Sequence, residues 1–312
     1  MADLRIQAVA ASHIGRRVQN EDHYLVDREH RLLAVADGVG GYQAGERAAE
    51  ITCGVLEAEV AGGTPLAEAV MLANRAVRKE IKRSDLNMGS TLVAMLVREQ
   101  GFELVWAGDS RAYLWDGRLK QISRDHSPVE AMYQRGELTR AEAHRHPDRN
   151  VINQGIGLVE TKRLELSVNA GSIYPGQLFL LCSDGVSDVL EDEAIAFIVG
   201  LPQSLEARCM QLVSTAVGLG GQDNATAILV EVLDAPGVRQ HVAPEVFWEH
   251  DPAAAPRGMQ ELKEQRLVGM ELDSERLPPE ITQVISIADV ERELKARERK
   301  QGLMGRLLGR LR

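Results

Sequence analysis

Four aspartates stand at the edges of apolar runs, a placement that could build a cation site. They are Asp37 in AVADGVGG, Asp109 in VWAGDSRAY, Asp184 in LLCSDGVSD and Asp223 in GGQDNATAIL. A single Asp-Gly turn is common turn chemistry and indicates little by itself. Four such turns, each joined to an apolar strand, converge if the strands share one core. Clustered carboxylates repel one another unless cations neutralise them.

The ligand type indicates which metal such a site would hold. Oxygen-only ligand sets favour hard cations, Mg²⁺ or Mn²⁺, whereas zinc prefers histidine or cysteine. His144 and His146 lie beside Pro147 on no predicted strand, which favours surface positions in a loop. We therefore predict a site for Mn²⁺ or Mg²⁺ built from carboxylates.

An arginine pair precedes two further acids in the segment SHIGRRVQNED. Arg16 and Arg17 lie a few residues before Glu21 and Asp22. A guanidinium fork matches a pair of phosphate oxygens, and an ordinary surface ion pair is the alternative. Together with the carboxylates, the arginine indicates phosphate hydrolysis. Two cations bridged by a carboxylate would lower the pKa of a water to near neutrality, and the hydroxide would attack phosphorus in line.

Other catalytic motifs are absent from the sequence. Cys182 and Cys209 lie in apolar contexts without the C-x5-R loop of cysteine phosphatases. There is no GxxxxGK[ST] loop, which disfavours a nucleotide-driven motor or kinase, and no GxSxG elbow. The sequence therefore favours a route without a protein nucleophile.

The bulk composition excludes several further classes of function. The chain has 312 residues, of which 44% are hydrophobic, and a formal net charge of -10. An acidic chain is a poor general nucleic-acid binder, so no nucleic-acid partner is predicted. Three cysteines without CxxC spacing argue against a disulfide framework. Neither a signal-peptide pattern nor an apolar run of about 18 residues occurs, so a cytoplasmic location is expected.

Strand-like runs alternate with helix-like patterns up to residue 234. The strand patterns cover 31–36, 90–97, 102–107, 112–115, 119–122, 177–182 and 225–233. The helical patterns cover 44–60, 65–81, 127–136, 139–144 and 205–217. Strands that follow one another through short turns, such as Asp116-Gly117, favour antiparallel sheets over a doubly wound parallel sheet. Paired helical patterns predict helices that cover these sheets.

A change of composition follows residue 234. Residues 235–256 contain four prolines and a run of three alanines, which is typical of a linker. Residues 257–312 are predicted as a C-terminal extension, partly helical or disordered. Its basic amphipathic part, 285–312, suggests weak contact with an anionic membrane or an acidic partner. A solvated tail is the alternative, because glycines recur in this segment and weaken a helix.

Eight short motifs occur in a fixed order along residues 6–233. They are GxRxxNED (15–22), DGVGG (37–41), GST (89–91), GDSR (108–111), DHS (125–127), RHPxRN (145–150), SDGVSD (183–188) and GGxDN (220–224). Each motif is weak alone, but the ordered set is specific. On these motifs the chain resembles the type-2C protein phosphatases, the metal-dependent serine/threonine phosphatases, of bacterial type.

The resemblance implies an α+β fold, a four-layer αββα sandwich of two antiparallel sheets flanked by helices, with residues 1–234 as the catalytic domain. It also implies two ions, Mn²⁺ or Mg²⁺, bridged by Asp37. The Gly38 carbonyl would be a further ligand, and Asp184 and Asp223 would hold the first metal.

The remaining roles implied by the resemblance concern the outer part of the site. Glu21 and Asp22 would act mainly through metal-bound waters. Arg17 would bind the substrate phosphate and act with Asp37 in catalysis. Asp109 and Asp188 match the positions that hold a third, weaker cation in bacterial members.

The sequence also departs from the family pattern. Val39 replaces the general-acid histidine of the DGHGG version of the motif, so water or another group would protonate the leaving oxygen. His126 is not assigned that role. Residues 127–150 resemble the flap beside the active site, a loop that would influence substrate choice and release. Residues 153–157 read NQGIG instead of the more usual TRALG.

These features predict a metal-dependent phosphoprotein phosphatase acting on phosphoserine and phosphothreonine. Its partners would be phosphorylated proteins, a serine/threonine kinase that it opposes and the substrates of that kinase. The alternative is a binding module, a pseudophosphatase or scaffold that recognises phosphoproteins. Such proteins typically lose a metal carboxylate, and all are present in this sequence.

Overall fold

A computed structural model describes residues 4–40, 43–98 and 101–233, together with two short strands at 246–249 and 270–272. The predicted amphipathic tail at 285–312 lies outside these residues, as does most of the predicted linker. The division into catalytic domain, linker and extension therefore stays a prediction. Within the described part, no helix is both long and apolar enough to cross a membrane.

Two sheets form the centre of the fold. The strands in chain order are β1 (Leu4–His13), β2 (Asp22–Asp27), β3 (Leu32–Val39), β4 (Gly89–Ser90), β5 (Leu92–Arg98), β6 (Gly101–Ala107), β7 (Arg111–Trp115), β8 (Leu119–Gln121), β9 (Ser167–Ser172), β10 (Leu178–Cys182), β11 (Ala225–Leu233), β12 (Val246–Glu249) and β13 (Met270–Leu272). The first sheet has the order β13-β1-β11-β10-β7-β8, and the second has the order β12-β9-β6-β5-β3-β2, with β4 paired to β3. All pairs are antiparallel except β1 with β13.

Helices cover the outer faces of the sheets, and two short ones lie in the segment 127–150. They are α1 (Gln43–Ala61), α2 (Leu66–Ser84), α3 (Pro128–Gln134), α4 (Arg140–His144), α5 (Asp184–Ser187), α6 (Asp192–Val199) and α7 (Leu205–Gly218), with a 3-10 turn at Thr161–Arg163. The two flap helices begin at side-chain caps, as their sequences favour. The hydroxyl of Ser127 accepts from the Glu130 N–H, and Thr139 forms a capping box with Glu142.

Three apolar clusters define the layers. One packs α1 and α2 against the second sheet, one lies between the two sheets, and one packs α6 and α7 against the first sheet. The prediction of a four-layer sandwich is confirmed. Strand β3 shows why its sequence is apolar throughout: Leu32, Ala34 and Ala36 face the helices, while Leu33 and Val35 face the other sheet.

The strand predictions are confirmed to within one to three residues for β3, β5, β6, β7, β8, β10 and β11. The predicted run 90–97 divides at Thr91 into β4 and β5. Strands β1, β2 and β9 and helix α6 were not predicted. Strand β9, SVNAGS, consists of small and polar residues without a β pattern, and only its pairing with β6 and β12 makes it a strand.

Candidate metal and phosphate site

Six aspartates lie together near the ends of strands from both sheets and at helix α5. We call them the aspartate cluster: Asp22, Asp37, Asp109, Asp184, Asp188 and Asp223. Their charges act on one another: those of Asp22, Asp184 and Asp109 act on Asp37, and those of Asp188 and Asp223 act on Asp184. The convergence expected from the four acidic turns therefore exists, and it includes two further aspartates.

The direction of Asp37 follows from strand alternation. Side chains two residues apart on a strand share a face, so Asp37 continues the row of Leu33 and Val35, which face the first sheet. Asp22 lies directly opposite Asp37 in the antiparallel register of β2 and β3. The two carboxylates therefore occupy the same face of the second sheet, and Asp184 and Asp223 reach them from the first sheet.

Burial controls the protonation of the cluster. It raises the pKa of Asp37 well above the usual value, and the charges of Asp22, Asp184 and Asp109 raise it further. Burial is also the largest cause that raises the pKa of Asp22 to about 7 and that of Asp184 to about 6. Ionised carboxylates are disfavoured there because they lose water and repel one another. A bound cation would reverse both effects.

The donor chemistry of the cluster fits a hard cation. One carboxylate oxygen of Asp22 and one of Asp184, both Oδ1, are buried without a hydrogen-bond partner. Buried oxygens of this kind are costly unless a ligand satisfies them. Among the described residues, no three acidic, histidine or cysteine side chains are arranged as a ready coordination shell.

Arg17 lies at the edge of the cluster and contacts Asp223. Its NH2 group donates to Oδ2 of Asp223 over 2.6 Å, and its side chain is 59% exposed. The hydrogen bond to Asp223 raises the pKa of Arg17, and the charges of Asp223, Glu21 and Asp37 add to it. The predicted phosphate clamp and a predicted metal ligand thus pair with each other.

Asp22 is buried within the aspartate cluster. It is 9% exposed, and the hydroxyl of Ser183 donates to its Oδ2 over 2.8 Å. Its neighbour Glu21 also contributes through its backbone: the carbonyl of Glu21 accepts from the Gly38 N–H over 3.2 Å. The structure therefore places Asp22 inside the cluster, and the backbone of Glu21 supports the turn that carries Gly38.

The predicted third-ion residues form the outer part of the cluster. Burial raises the pKa of Asp109 well above its usual value, and the charges of Asp184, Asp125 and Asp188 add to it. Burial raises the pKa of Asp188 also, although Arg111 and Arg149 oppose that shift. Arg149 of the flap lies 3.5 Å from Asp188, measured from Nε to Oδ2. The two aspartates share a neighbourhood, as their assignment to one ion requires.

Thr91 and Ser90 hold the backbone of Asp37, a role that the sequence did not reveal. The Thr91 hydroxyl accepts from the Asp37 N–H over 3.1 Å, and the Thr91 N–H donates to the Asp37 carbonyl over 2.8 Å. The Ser90 hydroxyl also donates to that carbonyl. The Thr91 hydroxyl further bonds that of Ser110 over 2.6 Å, so the turns carrying Asp37 and Asp109 are tied together. The GST motif was the only signal of this network.

A buried ion pair between Arg111 and Asp125 lies next to the aspartate cluster. Arg111 donates to both carboxylate oxygens of Asp125, with NH2 to Oδ2 at 2.6 Å, and the side chains are only 16% and 9% exposed. Bidentate pairing of this kind is strong and directional. It joins β7, which follows Asp109, to the DHS motif at the start of the flap.

Replacing Asp125 with asparagine is expected to lower the free energy of unfolding by about 3 kcal/mol, because Arg111 would stay buried without its counter-charge. Urea denaturation of the variant and the wild type measures the change. Asp192→Asn is the matched control, since Asp192 pairs with Arg140 at 3.2 Å where both side chains are almost half exposed. That substitution should change stability by about 1 kcal/mol or less. Equal losses in the two variants would contradict the prediction.

His126 has structural contacts around the turn that carries Asp109. His126 is engaged in the structure: its Nδ1 accepts from the Gly108 N–H, its Nε2 bonds the hydroxyl of Ser167 over 2.8 Å, and its ring stacks on Trp106. The ring supports the turn before Asp109, which agrees with leaving His126 out of the catalytic assignment. Val39 itself is 37% exposed.

The flap, residues 127–150, contains α3 and α4 and packs beside α6. Arg140 donates to Gln121 over 2.7 Å and to Asp192 over 3.2 Å. A cavity of about 250 Å³ lies behind this contact, lined by Arg111, Arg140, His144 and Ser187 among others. The predicted pair of short helices is confirmed.

Comparison with known proteins agrees with this geometry. The sequence model of the family described as Protein phosphatase 2C matches residues 9–233. The serine/threonine protein phosphatase PstP of Mycobacterium tuberculosis is 37% identical over 227 residues, which cover 70% of this chain and 43% of that protein. The serine/threonine phosphatase stp of Listeria monocytogenes is 32% identical over 213 residues, covering 64% of this chain and 84% of that protein. The chain thus spans less than half the length of PstP.

Solved structures show the same fold. The catalytic domain of PstP, in complex with two manganese ions, superposes with a TM-score of 0.66 at 34% identity, covering 74% of this chain and 100% of that one. The serine/threonine phosphatase Stp1 of Staphylococcus aureus superposes with a TM-score of 0.67 at 27% identity, covering 75% of this chain and 98% of that one.

Proposed function

This chain belongs to the protein phosphatase 2C family, and on that premise we propose that it is a metal-dependent phosphatase that hydrolyses phosphoserine and phosphothreonine in proteins. The observation that carries the proposal is the aspartate cluster with Arg17 at its edge. Burial and mutual repulsion disfavour the ionised carboxylates, and cations of high charge would stabilise them. An arginine beside such cations is suited to phosphate.

The proposed ligands are the ones that the sequence resemblance implied. Asp37 would contact both ions, the Gly38 carbonyl would be a further ligand, and Asp184 and Asp223 would complete the first site. The buried Oδ1 atom of Asp184 supports this assignment. The manganese ions of the related PstP structure support Mn²⁺ as the metal and two as the number of ions.

The outer residues have proposed roles of their own. Glu21 and Asp22 would act through waters, although the depth of Asp22 and its buried Oδ1 also suit direct contact with an ion. Asp109 and Asp188 would hold an optional third cation, which would replace Arg149 beside Asp188.

Divalent cations, when bound, lower the pKa of a water and neutralise charge on phosphate oxygens. The chain's own residues would supply position and selectivity. Arg17 would leave Asp223 and hold two phosphoryl oxygens. Thr91 and Ser90 would keep the Asp37 backbone fixed. Because the side chain of Val39 has no titratable group, water or another group would protonate the leaving serine or threonine oxygen.

The proposed partners are phosphorylated proteins and a serine/threonine kinase whose action the enzyme reverses. The names of the relatives, serine/threonine phosphatases in several bacteria, support this substrate class. A serine/threonine kinase is the class of enzyme that produces such substrates, which is why it is the proposed partner.

The proposal is tested by the metal dependence of turnover. The full chain should hydrolyse p-nitrophenyl phosphate and phosphothreonine peptides with Mn²⁺, and should lose this activity in EDTA. Readdition of Mn²⁺ should restore it. Wild-type protein without metal-dependent turnover would contradict the proposal, and tight phosphopeptide binding without hydrolysis would instead favour a scaffold.

A further inference from the structure

One buried side chain organises the loop that carries Arg17. We call residues 14–21 the arginine loop. The side chain of Asn224 donates through Nδ2 to the carbonyl of Ile14 over 2.8 Å and to that of Gln19 over 3.0 Å. Its Oδ1 accepts from the N–H of Glu21 over 2.8 Å. Both donors and the acceptor of one amide therefore contact both ends of the loop.

Asn224 is buried, so the loss of these hydrogen bonds would be costly. The residue is 4% exposed, so water cannot readily replace a lost partner. It stands next to Asp223, the carboxylate that Arg17 contacts, and its own N–H donates to Oδ1 of Asp223 over 2.8 Å. One residue thus connects the start of β11 with the loop that carries the arginine.

The loop also approaches this segment more closely than a side chain would permit. Gly15 has a φ of +62°, and a Cβ atom at Gly15 would collide with the carbonyl oxygen of Asp223. Within the loop, the Arg17 N–H donates to the Ile14 carbonyl over 3.3 Å, the same carbonyl that Asn224 binds. The backbone N–H of Arg17 and the side chain of Asn224 therefore donate to the same carbonyl oxygen.

We infer that Asn224 is a positioning residue for Arg17: its amide sets the shape of the arginine loop and thereby holds the guanidinium where a substrate phosphate binds. The inference rests on the proposed function, because it assigns Arg17 to phosphate. Asn224 acts through the loop backbone, and its loss should be felt through Arg17.

Steady-state kinetics on the full chain with Mn²⁺ and p-nitrophenyl phosphate tests the coupling. Asn224→Ala is expected to lower kcat/KM by about 100-fold, the effect of a displacement of roughly 1 Å at a catalytic group, mainly through a higher KM. In an Arg17→Ala background, the same substitution should lower kcat/KM by no more than about threefold. If Asn224→Ala lowers kcat/KM by the same factor with and without Arg17, the two residues act independently and the inference is overturned.

A matched control separates positioning from general damage to the fold. Asn169 is an equally buried asparagine on β9, and its Nδ2 donates to the Ile122 carbonyl over 2.9 Å. Asn169→Ala should leave KM within about twofold of the wild type and should act alike with and without Arg17. If Asn224→Ala does not fold, Asn224→Asp takes its place, since a carboxylate keeps the acceptor for Glu21 and loses both donors.

Hydrogen exchange tests the inference without any activity measurement. Amides of residues 14–21 should exchange faster in Asn224→Ala than in the wild type, and Asn169→Ala should leave them unchanged. Unchanged exchange in the arginine loop would overturn the inference even if kinetics were altered. Should the wild type show no turnover, the proposed function would fail, and exchange would still decide whether Asn224 orders the loop.

Discussion

Replacing Asp37 with asparagine is expected to lower kcat for Mn²⁺-dependent phosphate hydrolysis by about three orders of magnitude or more. Asp37 lies at the centre of the aspartate cluster and is the proposed bridge between two ions. Charge stabilisation by bound metal contributes several kcal/mol to the barrier, and each 1.36 kcal/mol corresponds to a factor of about ten in rate. Stopped and continuous assays at saturating Mn²⁺ measure the change.

The fold should survive this substitution. Burial already raises the pKa of Asp37 well above its usual value. The metal-free protein therefore favours a neutral side chain at this position, and asparagine is neutral. The metal-free variant should unfold at an equal or higher temperature than the metal-free wild type. Asp116→Asn, in the hairpin between β7 and β8 and beside Lys120, is the control and should keep wild-type kcat. A variant of Asp37 that retains more than about a tenth of wild-type kcat would exclude it as the bridging ligand.

Binding of Mn²⁺ is expected to stabilise the chain strongly. Ligand at about 100 times its Kd adds about 2.7 kcal/mol per site, so two sites add about 5 kcal/mol. For a domain of this size, this corresponds to a rise in Tm of roughly 10–20 °C. Differential scanning calorimetry with and without Mn²⁺ measures the rise, and Asp37→Asn should lose most of it. The same Tm in Mn²⁺ and in EDTA would contradict a metal site in the cluster.

The pH dependence of this stability has a defined sign. Burial raises the pKa of Asp22 to about 7 and that of Asp184 to about 6, whereas an unfolded aspartate titrates near 4. The folded state therefore holds these protons more tightly, and the contribution of Asp22 and Asp184 to stability in EDTA should be full below about pH 4 and decline as pH rises to about 7. With Mn²⁺ the decline should shrink, because the cation takes the place of the protons. Stability that rises over this window in EDTA would contradict the burial of the cluster.

Much of the site was predictable because its chemistry is carried by residue types at strand ends. Asp37 and Asp184 each follow an apolar run, and Asp223 precedes one. A fold that buries these runs in one core, with these strand ends at one edge of the sheets, brings the carboxylates together. The alternation of β3 then directs Asp37 toward the first sheet, as period two requires. The sequence by itself thus determined which residues meet, the oxygen-only character of the site and the family of the chain.

Only the tertiary structure decided how those residues are held. Arg17 pairs with Asp223 across 206 positions, Asn224 binds the arginine loop across more than 200, and Asp22 is buried because β2 pairs with β3. Local periodicity carries no information on such contacts, since they depend on how two sheets stack and which register they adopt. The sequence alone therefore indicated a phosphate clamp and its carboxylates, whereas the packed sandwich assigned Asn224 to position the clamp.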